Sequence, residues 1–389
     1  MARKVCVMTS AHPAFDVRIF HKECKSLARA GYQVTLIASS AEQGAFDGID
    51  LKPLPKWKNR WDRMTRGPFV VYRKAREENA DVYHFHDPEL IPAALLLRRA
   101  GKRVIYDIHE DLPRTVSYKP YIPGFLKSLV SRAVERIENW AGARFSALIA
   151  ANPTIAGRFR ERSANLSVVS NFPKVEEIEP MSHVSLSQRE PCLIYVGMRI
   201  TRSRGIEEVI RAVGLLSPHL HARLKLVGNW DPPDLPKSLS KIPGWDRVEF
   251  LGPLGRRGVV DQLTKARVGL SILRPEPNYL TAQPVKLFEY MCAGIPVIAS
   301  DFPVCRDIVA KSHCGLLVDP LDPEEIARAM EFLLIHQDYA EAMGQRGLQA
   351  VRQHFNWAEE EKVLLQTYQD LFFYDTACSE DLVHARCAR

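Results

Sequence analysis

The sequence has no apolar run that approaches the ~18 uninterrupted residues that a membrane-spanning helix needs. Its opening, MARKVCVMTSAHPAF, carries basic residues, but the apolar run is too short for a signal peptide and is typical of a strand instead. The eight cysteines are scattered and include no C-x-x-C pair, as is common for small core residues in a reducing compartment. These absences predict a cytoplasmic protein.

Short motifs of several enzyme classes are missing as well. The loop after the first predicted strand is not G-x-G-x-x-G, which argues against a dinucleotide cofactor held there. Neither the P-loop G-x-x-x-x-G-K nor the nucleophile motif G-x-S-x-G occurs. No D-x-D triplet occurs, so a metal ion held by that triplet is not indicated, and a bound diphosphate would have to be neutralised by cationic side chains. We therefore predict no metal and no cofactor.

What the sequence does contain is an alternation of short apolar strands with helical patterns, repeated twice over 389 residues. Such alternation predicts an α/β fold with doubly wound parallel sheets, and the length favours two domains. We predict a first domain over residues 1–175, a linker over 176–190 and a second domain over 191–357. A last helix over 358–376 is predicted to return to the first domain. Two such domains would face each other across a ligand-binding cleft.

The stretch PVKLFEYMCAGIPVIASD, residues 284–301, predicts a helix, a stop at Gly294 and a buried strand. Leu287 falls at the spacing of a core residue. Lys286 and Glu289 stand in the first turns of the helix, where unpaired N–H groups and the positive dipole end favour phosphate. A carboxylate at Glu289 would accept hydrogen bonds from ribose hydroxyls. The alternative is that Glu289 lies on a solvated face of the helix.

A second loop, GMRITRSRG over residues 197–205, ends one predicted strand and begins a helix. Arg199 and Arg204 would project there beside unpaired backbone N–H groups and hold a diphosphate by charge-assisted hydrogen bonds. The alternative is a basic loop neutralised by Glu207 and Glu208. We favour phosphate binding because the helix of the preceding paragraph is predicted to begin at the same sheet edge.

Histidines mark the ends of two strands in the first domain. His109 follows VIYDI, where its ring can hydrogen-bond a sugar hydroxyl or the reacting centre. His84 and His86 alternate along the preceding strand and point to one face. With His109 and Asp87 they would form a hydrolase-type metal site, which is the rival enzyme hypothesis. We favour it less because the flanking residues make an ordinary buried strand and a second domain would go unexplained.

The net charge of +7 predicts an anionic partner, and part of the excess lies in residues 52–76. Cations and aromatic residues are interleaved in this basic-aromatic segment, which suits peripheral contact with an anionic membrane. Nucleic acid would fit the charge, but no nucleic-acid motif accompanies the segment, so we predict no nucleic-acid partner. The alternative is a solvated loop with Trp57 and Trp61 packed inward.

Five stretches together resemble glycosyltransferase family 4, the retaining group with the GT-B fold, and within it a bacterial exopolysaccharide and capsule branch: MTSAHPAFDVRIFHKECKSLARAGYQVTLIA, YHFHDPEL, VIYDIHED, IAANP and PVKLFEYMCAGIPVIAS. The resemblance covers nearly all of the chain. It implies two Rossmann-like domains, with a nucleotide-sugar in the carboxyl-terminal domain and an acceptor in the amino-terminal one.

The resemblance also implies roles for single residues on the donor side. Arg199 and Arg204 match the Arg and Lys that hold the donor diphosphate, with Arg204 in place of the Lys. Glu289 matches the second Glu of an E-x7-E motif and would bind the ribose. The first Glu falls at Thr281, so the motif is broken here. Three nearby residues are candidates to replace it: Glu276, Asn278 and Gln283. The rest of the predicted donor set is Gly197, Lys286 and Leu287.

On the acceptor side, His109 matches the active-site histidine of the family. The Gly-Gly loop of many members is absent, and residues 12–18 stand in its place. We therefore predict acceptor contacts at His12, Asp16, Arg18 and His86.

The implied reaction is metal-independent hexosyl transfer with retention, in which Arg199, Arg204 and helix-end N–H groups stabilise the leaving nucleoside diphosphate. The implied acceptor is a glycan or a lipid-pyrophosphate-linked glycan in surface-polysaccharide assembly. The sugar and the base, uridine or guanosine, stay open. The alternative from another class is a catalytically silent GT-B subunit that scaffolds a partner transferase, supported by Thr281.

Overall fold

The computed structural model describes residues 2–117, 122–163, 165–178 and 185–387, with side chains up to residue 372 in the last helix. The chain divides into two compact units: unit 1 comprises Met1–Asn171 with Ala358–Arg389, and unit 2 comprises Phe172–Trp357. Part of the predicted linker, residues 179–184, lies outside the described residues. No helix among the described residues is both long and apolar enough to cross a bilayer.

Unit 1 contains an eight-stranded sheet. Its strands are β1 Lys4–Pro13, β2 Gln33–Ser39, β3 Gly44–Phe46, β4 Ile49–Leu54, β5 Val82–Phe85, β6 Arg103–Ile108, β7 Ala147–Ala150 and β8 Leu166–Val168. They lie in the order β3-β4-β2-β1-β5-β6-β7-β8, and only the β3–β4 pair is antiparallel. The order reverses between β1 and β5, which makes their carboxyl ends a switch point where such sheets bind ligands.

Among the described residues, α-helices and one π-helical turn connect most of these strands. The π-helical turn Ile19–Cys24 leads into α1 Lys25–Arg29, and the others are α2 Arg60–Glu78, α3 Ile91–Arg99, α4 Leu112–Ser117, α5 Gly124–Gly142 and α6 Pro153–Gly157. Because α3 packs against both α2 and α5, these three helices form one layer.

The basic-aromatic segment is a strand followed by a helix, not a loop. It contains the end of β4 and most of α2, which the sequence analysis did not predict. The Asn59 side chain caps α2 by accepting the Asp62 N–H at 2.9 Å, and Val71 and Ala75 are buried on its inner side. Of the two tryptophans, Trp57 is half-buried and Trp61 is 69% exposed. The alternative in which both tryptophans pack inward therefore fails for Trp61.

Unit 2 contains a six-stranded, fully parallel sheet. Its strands are β9 Cys192–Ile200, β10 Arg223–Trp230, β11 Val248–Gly252, β12 Val268–Ser271, β13 Val297–Ser300 and β14 Gly315–Val318. They lie in the order β11-β10-β9-β12-β13-β14, so the switch point falls between β9 and β12. The helices are α7 Ile206–Leu215, α8 Leu235–Leu239, α9 Arg256–Lys265, α10 Val285–Cys292, α11 Pro303–Ser312, α12 Pro323–Ile335 and α13 Gln337–Gln353. The two sheets confirm the predicted doubly wound α/β class.

The last helix, α14 Trp357–Cys387, belongs to unit 1 from Ala358 onwards. The Tyr368 hydroxyl lies 2.8 Å from His84 Nδ1 in β5, and Glu361 forms an ion pair with Arg29 at 2.9 Å. These contacts join the carboxyl-terminal helix to the centre of the unit 1 sheet.

Apolar burial follows the sequence pattern closely in both units. The helix and strand predicted around Gly294 are α10 and β13, and Gly294 adopts the left-handed conformation expected of it, with φ +65°. All six cysteines whose side chains are described are buried and unbridged. Tyr290 of α10 is buried too; its hydroxyl donates to Leu270 O at 3.1 Å and accepts from Val196 N at 3.0 Å. This bridging fixes α10 against the switch point of the unit 2 sheet.

Candidate functional site

The loop that follows β9 is held against the end of β12. Residues 202–204 form one 3₁₀ turn, and the Thr201 hydroxyl accepts the N–H of Arg204 at 3.2 Å. Gly205 has φ +67°, and a β-carbon there would lie 2.6 Å from the side chain of Ile272, just beyond β12. Only glycine allows this close approach, which fixes the point from which Arg204 projects.

The two predicted diphosphate ligands have different surroundings. Although burial acts to lower the pKa of Arg204, contacts with the hydroxyls of Tyr195 and Tyr279 raise it. Arg199 is 63% exposed in its side chain and forms an ion pair with Asp231. Arg204 is therefore a fixed cation beside the sheet, whereas Arg199 is a solvent-facing one.

Lys286 is buried in the first turn of α10. It is only 8% exposed, its ammonium lies 3.8 Å from the centre of the Tyr195 ring, and it has no hydrogen-bond partner among the described residues. Burial disfavours the charged form and Arg204 repels it, so the pKa of Lys286 is well below its usual value despite the attraction of Glu289. A buried cation without a partner costs free energy unless an anion binds it. Arg204 and Lys286 therefore mark an anion-binding position.

Glu289 forms an ion pair with Arg256, a residue that the sequence analysis did not select. Arg256 is the first residue of α9, and its Nε also lies 3.2 Å from Glu177 Oε2. The sequence signal was weak: a basic pair, Arg256 and Arg257, directly after Gly255. Because Arg256 occupies one Glu289 oxygen, a ribose diol would have to share or displace that contact.

The remaining predicted donor-binding residues are Gly197, Thr281 and Leu287. Gly197 lies in β9, and Thr281 is half-buried in the turn before α10. Leu287 is fully buried and its N–H donates to Pro284 O at 3.0 Å, so its assignment as a donor-binding residue is wrong. All three candidates for the missing Glu are half-buried in the same segment as Thr281. Of these three, Asn278 carries a buried Oδ1 without a hydrogen-bond partner among the described residues.

Asp87 organises the switch point of unit 1. Its Oδ2 accepts the Thr9 hydroxyl at 2.7 Å and the Ser10 N–H at 2.6 Å, and its Oδ1 lies 3.2 Å from His12 Nδ1. Burial opposes ionisation, yet these contacts hold the pKa of Asp87 below its usual range. The same carboxylate raises the pKa of His12 against the effect of burial. The end of β1 is thus tied to the end of β5 by a carboxylate that stays ionised.

A pocket of about 610 Å³ opens beside this carboxylate within unit 1, and its lining includes His12, Trp57, Arg63, His86 and His109. The Trp57 indole donates to Ser10 O at 3.0 Å, and Arg63 pairs with Glu89 at 3.0 Å. Aromatic, cationic and imidazole groups therefore surround one volume large enough for a sugar-sized ligand.

The orientation of His109 is set by Asp107. His109 Nε2 lies 3.1 Å from Asp107 Oδ2 and 3.1 Å from His86 Nδ1. An ionised carboxylate only accepts, so Nε2 of His109 carries a proton and donates to Asp107. Asp107 is fully buried, and burial is outweighed by Arg18 and His109, which hold its pKa well below the usual range. This contact fixes the orientation of the His109 ring at the lining of the pocket.

Two residues predicted to bind the acceptor have internal partners instead. Arg18 is 4% exposed; its Nε and Nη2 contact Asp107 at 3.0–3.1 Å and its Nη1 donates to Val169 O at 2.7 Å. A guanidinium buried in this way does not reach a ligand, so Arg18 positions Asp107 and the predicted acceptor contact is wrong. Asp16 accepts the N–H groups of Arg18 and Ile19 and thereby caps the π-helical turn. Neither Arg18 nor Asp16 lines the pocket.

The possible metal ligands that the structure brings together differ from those of the predicted hydrolase-type metal site. Ligand atoms of Glu23, His84, His86 and Asp107 all lie within 4.8 Å of one another, whereas Asp87 faces the first loop. The Arg18 guanidinium sits on both carboxylates, with its Nε 2.8 Å from Glu23 Oε1. Burial and the neighbouring Asp107 raise the pKa of Glu23 well above its usual value. The cluster therefore already contains a cation that pairs with its carboxylates.

Two family models match the chain. Residues 17–176 match the model described as Glycosyltransferase Family 4, and residues 190–336 match the model described as Glycosyl transferases group 1.

Curated relatives are distant but consistent with these matches. An uncharacterized glycosyltransferase of Methanocaldococcus jannaschii is 25% identical over 200 residues, covering 51% of this chain and 50% of the relative. An exopolysaccharide phosphotransferase of Streptomyces coelicolor is 25% identical over 75% of this chain and 29% of the relative. The phosphatidyl-myo-inositol mannosyltransferase of Mycolicibacterium smegmatis is 22% identical over 88% of this chain and 86% of the relative. The chain thus spans half or less of the length of the first two relatives.

Solved structures with the same fold cover nearly the whole chain. Sucrose-phosphate synthase from Thermosynechococcus elongatus superposes with a TM-score of 0.76 at 18% identity, covering 96% of this chain and all of that one. Anabaena HepE in complex with UDP-glucose superposes with a TM-score of 0.71 at 14% identity, covering 94% and 99%. At these identities the likeness shows the fold alone.

Proposed function

Because the chain belongs to the glycosyltransferases of the GT-B fold, with a family 4 and a group 1 domain, we propose that it is a retaining hexosyltransferase. It moves a sugar from a nucleotide-sugar to a glycan or lipid-linked acceptor in surface-polysaccharide assembly. Unit 2 binds the donor, and the pocket of unit 1 binds the acceptor.

The observation that carries the proposal is the buried ammonium of Lys286 beside Arg204. Both lie at the switch point of the unit 2 sheet, where α10 begins. A diphosphate supplies the anion that Lys286 lacks, and Glu289, one turn further on, accepts the hydroxyls of the attached ribose. One nucleoside diphosphate thus accounts for both cations and the carboxylate.

The chemistry follows from where charge develops. As the bond to the sugar breaks, negative charge grows on the diphosphate, and Arg204, Lys286 and the solvent-facing Arg199 stabilise it. These cations supply the charge that a metal ion supplies in other transferases, so transfer proceeds without a metal. The departing phosphate takes the proton of the acceptor hydroxyl, while His109 forms a hydrogen bond with a sugar hydroxyl.

Relatives support the substrate classes. HepE was solved with UDP-glucose, and two relatives are named for a phosphatidyl lipid acceptor and for exopolysaccharide. In unit 1 the pocket carries Arg63 and Trp57 near His109, which suits an acceptor with both anionic and sugar portions. We place the enzyme at the inner face of the cytoplasmic membrane, with residues 52–76 in peripheral contact with anionic lipid.

A catalytically silent subunit is the second candidate, favoured by Thr281 in place of the first motif carboxylate. Donor hydrolysis without acceptor separates the two, since a silent subunit releases no nucleoside diphosphate. The test is a thermal-shift panel of UDP- and GDP-sugars, followed by product release with and without EDTA and by NMR of the new linkage. We expect stabilisation by one donor, release that EDTA leaves unchanged, and a retained anomeric configuration.

Variants tie this activity to the site. Glu289→Ala should cost most of the donor-induced stabilisation, and Arg199→Ala should lower turnover by roughly 10²-fold or more. Arg257→Ala is the matched control, because Arg257 is the exposed neighbour of Arg256. Near-wild-type transfer by both site variants would refute the assignment.

A further inference from the structure

The outer face of α5 is a surface that the proposed transfer reaction does not use. Only Glu138, Ala141 and Gly142 of this helix are buried. Four large apolar side chains are exposed instead, namely Phe125 at 84%, Leu129 at 62%, Ile137 at 57% and Trp140 at 49%. At 100° per residue these four fall within a sector of about 120°, so they form one continuous stripe.

The charges on this stripe are all positive. Arg136 is exposed within the same sector, Arg132 is exposed about 20° beyond its edge, and Arg144, just past the helix, stacks over the Trp140 ring at 4.0 Å. No carboxylate falls in the sector: Glu135 projects to one side, and Glu138 is buried in an ion pair with Arg158 at 2.7 Å. Arginines can extend their polar ends from an apolar surface while their stems stay buried in it.

The neighbouring helices continue this character. In the layer formed by α2, α3 and α5, α2 exposes Trp61 at 69% and Phe69 at 70%, and α3 exposes Leu96 at 42%. The three helices together carry eleven Arg and Lys against five Asp and Glu. The exposed surface of this three-helix layer is therefore both basic and apolar.

We propose that α5 docks unit 1 onto an anionic lipid bilayer. Phe125, Leu129 and Trp140 enter the headgroup region, and the arginines bind lipid phosphates. Charge complementarity favours lipid, because a stripe with arginines and no carboxylate offers these arginines no ion pair on a second copy of itself, whereas lipid phosphates do. This contact is separate from the one proposed for residues 52–76. It can be measured without donor or acceptor, so its test does not depend on sugar transfer.

The test is co-sedimentation of the full chain with vesicles of phosphatidylcholine alone or with 30% phosphatidylglycerol. We expect the wild type to bind only the anionic vesicles. The variant Phe125→Gln/Leu129→Gln/Trp140→Gln should bind at least about tenfold more weakly, and Arg132→Gln/Arg136→Gln should lose roughly fivefold per arginine together with most of the salt dependence. All five positions are exposed, so the variants should fold, which circular dichroism verifies.

Controls make the result specific to α5. Leu215→Gln/Leu321→Gln changes two comparably exposed apolar residues of unit 2, at 58% and 52%, and should bind as the wild type does. The variant Trp61→Gln/Phe69→Gln measures how much α2 contributes to binding of the anionic vesicles. The proposal is overturned if the α5 triple variant binds anionic vesicles normally, or if it changes only the oligomeric state in light scattering. Donor hydrolysis, assayed without lipid, reports separately on the proposed transferase activity.

Discussion

Replacing Lys286 by Met should stabilise unit 2 while it weakens nucleotide binding. The ammonium is buried, lacks a hydrogen-bond partner among the described residues and lies near Arg204. Met has a similar length and no charge, so it fills the same volume without the desolvation cost. Replacing buried charges by apolar groups commonly stabilises by about 1–4 kcal/mol. We expect about 1–3 kcal/mol here, or roughly 2–10 °C in the unfolding temperature of a unit of this size.

The size of the effect should depend on pH in a defined direction. The pKa of Lys286 is lowered in the folded state, so the unfolded chain binds more protons between that lowered value and about 10.4. The cost of burying this lysine therefore falls as pH rises, by up to about 1.4 kcal/mol per pH unit. The advantage of Lys286→Met should be larger at pH 7 than at pH 9.5 and vanish near pH 10.4.

Binding should change in the opposite direction. A charge-assisted hydrogen bond contributes about 1.5–3 kcal/mol, so loss of the ammonium should weaken binding of UDP or GDP by roughly 10–150-fold. Thermal unfolding of the full chain with and without nucleotide measures both effects in one assay. The reasoning is refuted if Lys286→Met is less stable than the wild type and binds nucleotide equally well. Lys265→Met, at an exposed lysine of α9, controls for the substitution itself.

Two further predictions concern unit 1. Asp107→Asn removes the ionised acceptor that sets the protonated nitrogen of His109. The rate of transfer should therefore fall by roughly 10²-fold with a changed pH profile, while the KM for the donor, which is set in unit 2, stays constant. An equal loss of activity in Glu77→Gln, an exposed control on α2, would contradict this. Burial raises the pKa of Glu360 to about 7, so the folded state keeps a proton that the unfolded chain loses above about pH 4.3. The stability that Glu360 contributes is complete below pH 4.3 and is lost as pH rises to about 7. Glu360→Gln should therefore gain about 1–3 kcal/mol relative to wild type between pH 4.5 and pH 8 in urea unfolding, whereas the exposed Glu359→Gln should show no such slope.

Local patterns predicted much of the backbone. The alternation of apolar strands with helices predicted the doubly wound class, and the helix and strand predicted on either side of Gly294 are α10 and β13. Strand and helix periodicity depends on neighbours a few residues apart, so it can be read from the chain itself. The segment containing α2 was missed because its aromatic and basic residues mask the few buried positions, such as Val71 and Ala75.

The partners of charged side chains could not be predicted in the same way. Arg18 looked like a ligand contact because it stands in a loop at a sheet edge, but folding brings it to Asp107, far along the sequence. For the same reason the sequence did not show that Glu289 pairs with Arg256, or that Lys286 has no hydrogen-bond partner among the described residues.

The sequence by itself determined the doubly wound α/β class, most of the strands and helices, and which loops carry cations. Only the tertiary structure decided which of those cations are buried, which are paired and which faces of the helices remain exposed. Burial and pairing depend on groups that meet through space, and the free energy of a charge is set by those groups more than by its neighbours along the chain.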